Sequence, residues 1–79
     1  MNANTEIETS DYEVMARVGK SDVQVGEVEL TDDQYRHYVE MAGTPEGWIR
    51  LGALPHDYYE LDAEYQGLGE DTRVYIRPA

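Results

Sequence analysis

Apolar and polar residues alternate from Tyr12 to Leu30, and that period of two, slipped once, commits the start of the chain to a β-hairpin. Tyr12, Val14, Ala16 and Val18 fall on one face of a first strand, with Glu13, Met15 and Arg17 on the other. Gly19-Lys20-Ser21-Asp22 supplies a turn, and a second strand runs from Val23 to Leu30. Val23 and Val25 share one parity, Val28 and Leu30 the other, and Gly26 lies between them. A one-residue bulge at Gly26-Glu27 returns all four side chains to the core face and turns Glu27 or Glu29 toward solvent.

A helix follows directly. Thr31 is placed to cap it, and Gln34 stands three residues on, as a capping box requires. Leu30 and Tyr35 occupy the hydrophobic-staple positions, and Asp32 and Asp33 suit the positive end of the helix dipole. Tyr35, Tyr38, Val39 and Ala42 form an apolar stripe. Gly43 ends the helix and Pro45 follows it.

The second half is less regular. Trp48 to Leu54 reads as a short strand or an extended connector. Pro55 to Gln66 fits helical spacing through Leu54, Tyr58, Leu61, Tyr65 and Leu68, and strand alternation through Tyr59, Leu61, Ala63 and Tyr65. Asp57 and Glu60 repeat the cap spacing and Gly67 offers a stop, so a second helix is expected there. Thr72 to Arg77 reads as a final strand with Val74 and Ile76 inward. The expected fold is α+β: a small, mostly antiparallel sheet, made of the hairpin plus a C-terminal strand, with one or two helices packed on one face. Residues 1–10 carry no period and read as a flexible tail, leaving 11–79 as a single acidic domain.

Charge narrows the function. Seventeen acidic residues against six basic ones give a formal net charge of −11 over 79 residues. Such an excess repels nucleic acid and anionic membrane. The 41% hydrophobic content and seven tyrosines set the chain apart from disordered acidic tails. With no cysteine there is neither a disulfide framework nor a thiolate metal site. The first residues, Met1 to Glu6, lack the basic and apolar parts of a signal peptide, so a cytoplasmic protein is expected.

No catalytic pattern emerges. Among so many carboxylates a suitably spaced acid pair arises by chance. His37 lies on the helix flank four residues after Asp33, where a solvated pair is the ordinary arrangement, and His56 follows Pro55. Ser10 and Ser21 sit in the tail and the turn, away from either histidine. Asp62-Ala63-Glu64-Tyr65-Gln66-Gly67 opens like a calcium loop, but its twelfth place, which needs a glutamate, is Arg73. The chain is read as no enzyme, with no cofactor and no metal.

The acids are patterned instead. Asp22, Glu27, Glu29, Asp32 and Asp33 occur with no basic residue from 21 to 35; Asp57, Glu60, Asp62, Glu64, Glu70 and Asp71 occur with none from 51 to 72. On a second helix Asp57, Glu60 and Glu64 would share one stripe. A carboxylate surface can occupy a site built for phosphate, because lysine and arginine pair with both. Alternate strand residues lie about 6.6–6.8 Å apart, comparable to neighbouring phosphates. Tyr59, off the expected apolar stripe, is the candidate aromatic anchor, whereas Tyr58 and Tyr65 read as core.

In these features, a cysteine-free acidic domain of this size with carboxylates crowding Asp57 to Asp71, the chain resembles the phage-encoded DNA-mimic inhibitors, above all the small anti-CRISPR proteins such as those acting on type I-C effector complexes. The resemblance implies a monomer in the host cytoplasm that blocks the basic surface by which such a complex recognises DNA. It implies contacts through Asp57, Tyr59, Glu60, Asp62, Glu64, Glu70 and Asp71, with Glu27, Glu29 and Asp33 as a second cluster. Two other readings of the residues stand beside it: an interaction module that uses Trp48-Ile49-Arg50-Leu51, and a coat of acids that serves solubility alone.

Overall fold

The computed structural model describes residues 8–79. Residues 1–7 of the expected tail lie outside the described residues; of its remainder, Ser10 already pairs with Leu30, so the hairpin starts two residues before Tyr12. The fold is α+β. Strands β1 (Ser10–Val18), β2 (Ser21–Leu30), β3 (Ile49–Arg50), β4 (Glu60–Leu61) and β5 (Arg73–Pro78) form one antiparallel five-stranded sheet in the order β3-β5-β1-β2-β4. Among the described residues one α-helix, α1 (Asp32–Ala42), covers one face. No helix among the described residues is long and apolar enough to cross a membrane.

The hairpin forms as its alternation dictates, with Tyr12, Val14 and Ala16 buried. Val18, expected to face inward, is 49% exposed, because the hairpin tip projects past the core. The bulge falls one residue earlier than expected. Val14 pairs with Gly26 and Met15 with Gln24, so Val25 is the extra residue. Both Val25 and Leu30 are fully buried, while Glu27 and Glu29 are both exposed.

Helix α1 starts on the expected capping box: the Thr31 hydroxyl accepts from the Gln34 amide at 3.1 Å and the Thr31 amide donates to the Gln34 side chain at 2.8 Å. It ends at Gly43, whose φ of 67° is left-handed. The inward stripe is Tyr35, Tyr38, Met41 and Ala42; Val39 is 43% exposed. Tyr12 and Tyr35 stack at 4.6 Å between centroids, tying the helix to β1. The Tyr38 hydroxyl, buried, donates to the Gly47 carbonyl and accepts from the Ile76 amide at 2.9 Å. That amide lies past the end of the two-residue β3, where the ladder has no partner for it.

The second helix does not form. Pro55 to Gln66 instead makes two single 3₁₀ turns, His56–Tyr58 and Ala63–Tyr65, on either side of β4. Two forces favour this. The bulge leaves the Val25 carbonyl unpaired with β1, and the Asp62 amide satisfies it at 2.8 Å, while Gly26 pairs with Leu61. A helix would also have set Asp57, Glu60 and Glu64 at like-charge spacings with no cation to offset them. Trp48 to Leu54 becomes β3 followed by a 3₁₀ turn at Leu51–Ala53, burying Ile49, Leu51 and Leu54. Val74 and Ile76 of β5 complete the core as expected.

Candidate partner-binding face

The face of the sheet away from α1 is read row by row from strand register. At the hairpin end, Arg50 lies opposite Arg73, and Arg17 opposite Asp22 on the neighbouring pair. One step along, Tyr75 lies opposite Met15, which lies opposite Gln24. The next row runs Arg77, Glu13, Glu27, Glu60 across β5, β1, β2 and β4. Asp11 opposite Glu29 closes the series. Charge is therefore segregated on this face, arginines toward one corner and carboxylates toward the other.

The acidic corner borders an open cleft of about 620 Å³ lined by Asp11, Glu13, Glu27, Glu29, Asp57 and Glu60, with Tyr59 and His56 on its wall. Three carboxylates, Glu13, Glu27 and Glu60, stand directly opposite one another on successive strands, a placement that costs stability through like-charge repulsion. Among the described residues Glu13 alone of the three has a cation, Arg77 at 2.8 Å; Glu29 accepts a hydrogen bond from the Thr9 hydroxyl at 3.0 Å. Among the described residues Glu27, Glu60, Asp57 and Asp11 form no ion pair. The carboxylates are spread along strands rather than gathered: no three of the described acids and histidines are placed to hold one metal ion.

The ten residues singled out from the sequence separate here. Glu27, Glu29, Asp57, Tyr59 and Glu60, drawn from both expected clusters, come together in the cleft. The other five lie elsewhere. Glu70 borders a second cleft with Leu51, Leu54, Leu61 and Leu68. Asp71 pairs with Arg50 at 3.6 Å, and Asp33 with Arg36 at 3.5 Å on the helix surface. Asp62 and Glu64 are exposed on the turn after β4. Tyr59 is partly buried against the core as well as lining the cleft, and its ring stacks on His56 at 5.9 Å. His37 does not join Asp33; its Nδ1 lies 3.0 Å from the Tyr58 hydroxyl. Asp11 and Glu13 complete the acidic corner. Their signal was the outward parity of the first strand, readable once the hairpin register places them opposite Glu29 and Glu27.

At the opposite corner Arg17 lies 5.1 Å over the Trp48 ring, and Trp48 meets Tyr75 edge-on at 4.6 Å. Asp22 accepts from Arg17 at 2.7 Å and from the Tyr75 hydroxyl at 3.3 Å. The Arg17 hydrogen bond, helped by that of Tyr75, holds the Asp22 carboxyl below the usual carboxylate range. Arg73 has no ion-pair partner among the described residues. Of the Trp48–Leu51 segment, Ile49 and Leu51 are core, so only Trp48 and Arg50 are available to a partner. Compared with protein-family models, curated protein sequences and solved structures, the chain has no match in any of the three.

Proposed function

We propose that this chain is a non-catalytic inhibitor whose acidic sheet corner occupies the basic surface by which a nucleic-acid-handling protein, of the CRISPR effector type, holds DNA. One observation carries the reading: Glu13, Glu27 and Glu60 aligned across three strands, flanked by Asp11, Glu29 and Asp57, with a single arginine to answer them. An arrangement that repels itself is stabilised when a partner supplies the cations. Rows about 6.6–6.8 Å apart along a strand and about 4.8 Å between strands give lysines and arginines spaced for a DNA backbone a set of oxygens to engage bidentately. Tyr59, braced against the core, supplies an aromatic contact at the rim. The complex forms fast by electrostatic steering and excludes DNA, since both need the same cations.

Competition tests this directly. Labelled duplex DNA bound to a purified type I-C effector complex is titrated with the protein. Wild type displaces the DNA, more weakly as salt rises. The pair Glu27→Lys with Glu60→Lys loses displacement at least about a hundredfold, on the scale of two charge contacts reversed. The pair Asp33→Lys with Glu64→Lys, equal in charge but outside the cleft, changes it little. Equal losses from both pairs would reduce the effect to net charge, and no displacement by wild type would remove this partner.

A further inference from the structure

Beside the acidic corner lies a second cleft, of about 580 Å³, between the turn after β3 and the segment that leads from β4 to β5. His56, Tyr59 and Glu60 line both clefts, so the two adjoin. We infer that this second cleft receives one arginine side chain of a protein partner, its methylene stem on leucines and its guanidinium at the acceptors of the rim, Glu70 foremost.

Floor and rim divide the chemistry. Leu51 and Leu54, each 3% exposed, close the floor, while Leu61 and Leu68 keep part of their surface open and supply an apolar wall. Glu60, Gln66 and Glu70 are exposed on the rim. Glu70 is positioned by Gly52. Its carbonyl accepts from the Gly52 amide at 2.9 Å, and its side chain lies so close over that glycine that a Cβ there would come within 2.9 Å of Oε1. Gln66 donates through Nε2 to the Leu61 carbonyl at 2.7 Å, which fixes the carboxamide and leaves its oxygen as an acceptor. Among the described residues neither Glu60 nor Glu70 forms an ion pair. The two carboxylates and that oxygen all accept, and the occupant they fit is a group that only donates.

Lysine and arginine both carry such a head on an apolar stem. The arginine head is planar, pairs with a carboxylate through parallel hydrogen bonds, and is more weakly hydrated than an ammonium, so it loses less beside leucines. An acidic or purely apolar occupant would cover Glu70 without pairing it. A lining that is largely apolar, with a few placed polar groups, is also the ordinary make-up of a cleft that encloses one ligand group. The net charge of −11 draws partners of the same sign as the arginine. That the arginine belongs to the target of the inhibitor rests on the proposed function; the preference of the cleft for arginine does not.

Nuclear magnetic resonance of the free protein with labelled leucine methyls reads occupancy directly. N-acetyl-arginine amide shifts the Leu61 and Leu68 methyls with a Kd on the order of millimolar. N-acetyl-citrulline amide, of the same shape without the charge, and methylguanidinium, the head without the stem, each bind at least about tenfold more weakly. Glu70→Gln weakens the arginine probe about tenfold and leaves the citrulline probe unchanged; unshifted amides of α1 confirm that it is folded. Arginine and citrulline probes that bind alike, shifts as large at Asp33 as in the cleft, or a Glu70→Gln protein that binds like wild type would each overturn the arginine site. In the DNA competition Glu70→Gln also displaces less well than wild type. Displacement by wild type while no probe enters the cleft overturns the arginine site and keeps the inhibitor; a probe that enters while wild type displaces no DNA keeps the site and overturns the inhibitor.

Discussion

Tyr38 is the side chain on which the most converges. Its hydroxyl joins the carbonyl of Gly47 to the amide of Ile76 inside the core, holding the segment after α1 against β5. Removing only that oxygen leaves both backbone groups buried without a partner, which costs the desolvation of each rather than the modest worth of a bond. Tyr38→Phe is expected to lower stability by about 1–3 kcal/mol in denaturant melts, and a loss within error would mean that water reaches the site. Burial also raises the ionisation of the Tyr38 and Tyr12 phenols above the ordinary value, Tyr12 with a further push from Asp32. Absorbance titration should therefore show two of the seven tyrosines ionising late. Asp22 shows the opposite sign. Its folded carboxyl is more acidic than the unfolded one, so its contribution is present above about pH 4 and fades as pH falls through the lower folded value. The stability gap between wild type and Asp22→Asn should close across that window; a gap constant from pH 6 to pH 2 would show that Asp22 acts through shape alone.

At the scale of elements, the clearest parts of the sequence were those whose signals are local. The hairpin came from a period of two, and α1 from Thr31, Gln34 and Gly43, each acting on backbone groups within a few residues. Thr31→Ala should cost about 1 kcal/mol through the cap alone. What was not legible depended on tertiary pairing. The segment from Pro55 to Gln66 had helical spacing, but the unpaired Val25 carbonyl and the bare backbone of Gly26 drew Glu60 and Leu61 into the sheet instead. The candidate site was half legible for the same reason. Its residue types were plain, yet Glu27 and Glu60 belong to one row only because β4 crosses β2 at the bulge. Gly26 makes that crossing possible: a Cβ there would run into the Glu60 carbonyl. Gly26→Ala should release β4 while leaving the β1–β2 hairpin and α1 folded. Hydrogen exchange would then show the Asp62 amide, bonded to the Val25 carbonyl, losing protection, with the amides of α1 unchanged.

For the molecule as a whole, charge works against the fold. Among the described residues four ion pairs, on exposed or partly exposed side chains, offset few of the seventeen acids of the chain, and surface pairs of this kind contribute little each. Added salt screens repulsion between unpaired acids more than it weakens these few pairs, so the melting temperature should rise with ionic strength. Binding to a basic partner weakens over the same range. The two responses meet at Glu27, which faces Glu13 on one side and Glu60 on the other. Glu27→Gln removes both repulsions and keeps the side-chain shape. It should stabilise the fold by a few tenths of a kcal/mol, and it should weaken displacement of DNA from the target. A coat of acids kept for solubility predicts neither change, since one charge in eleven net barely alters solubility. A variant that is no more stable and competes as well as wild type would leave the acidic row without a role in binding. A variant that is more stable and competes poorly would establish that the row is maintained at the expense of the fold.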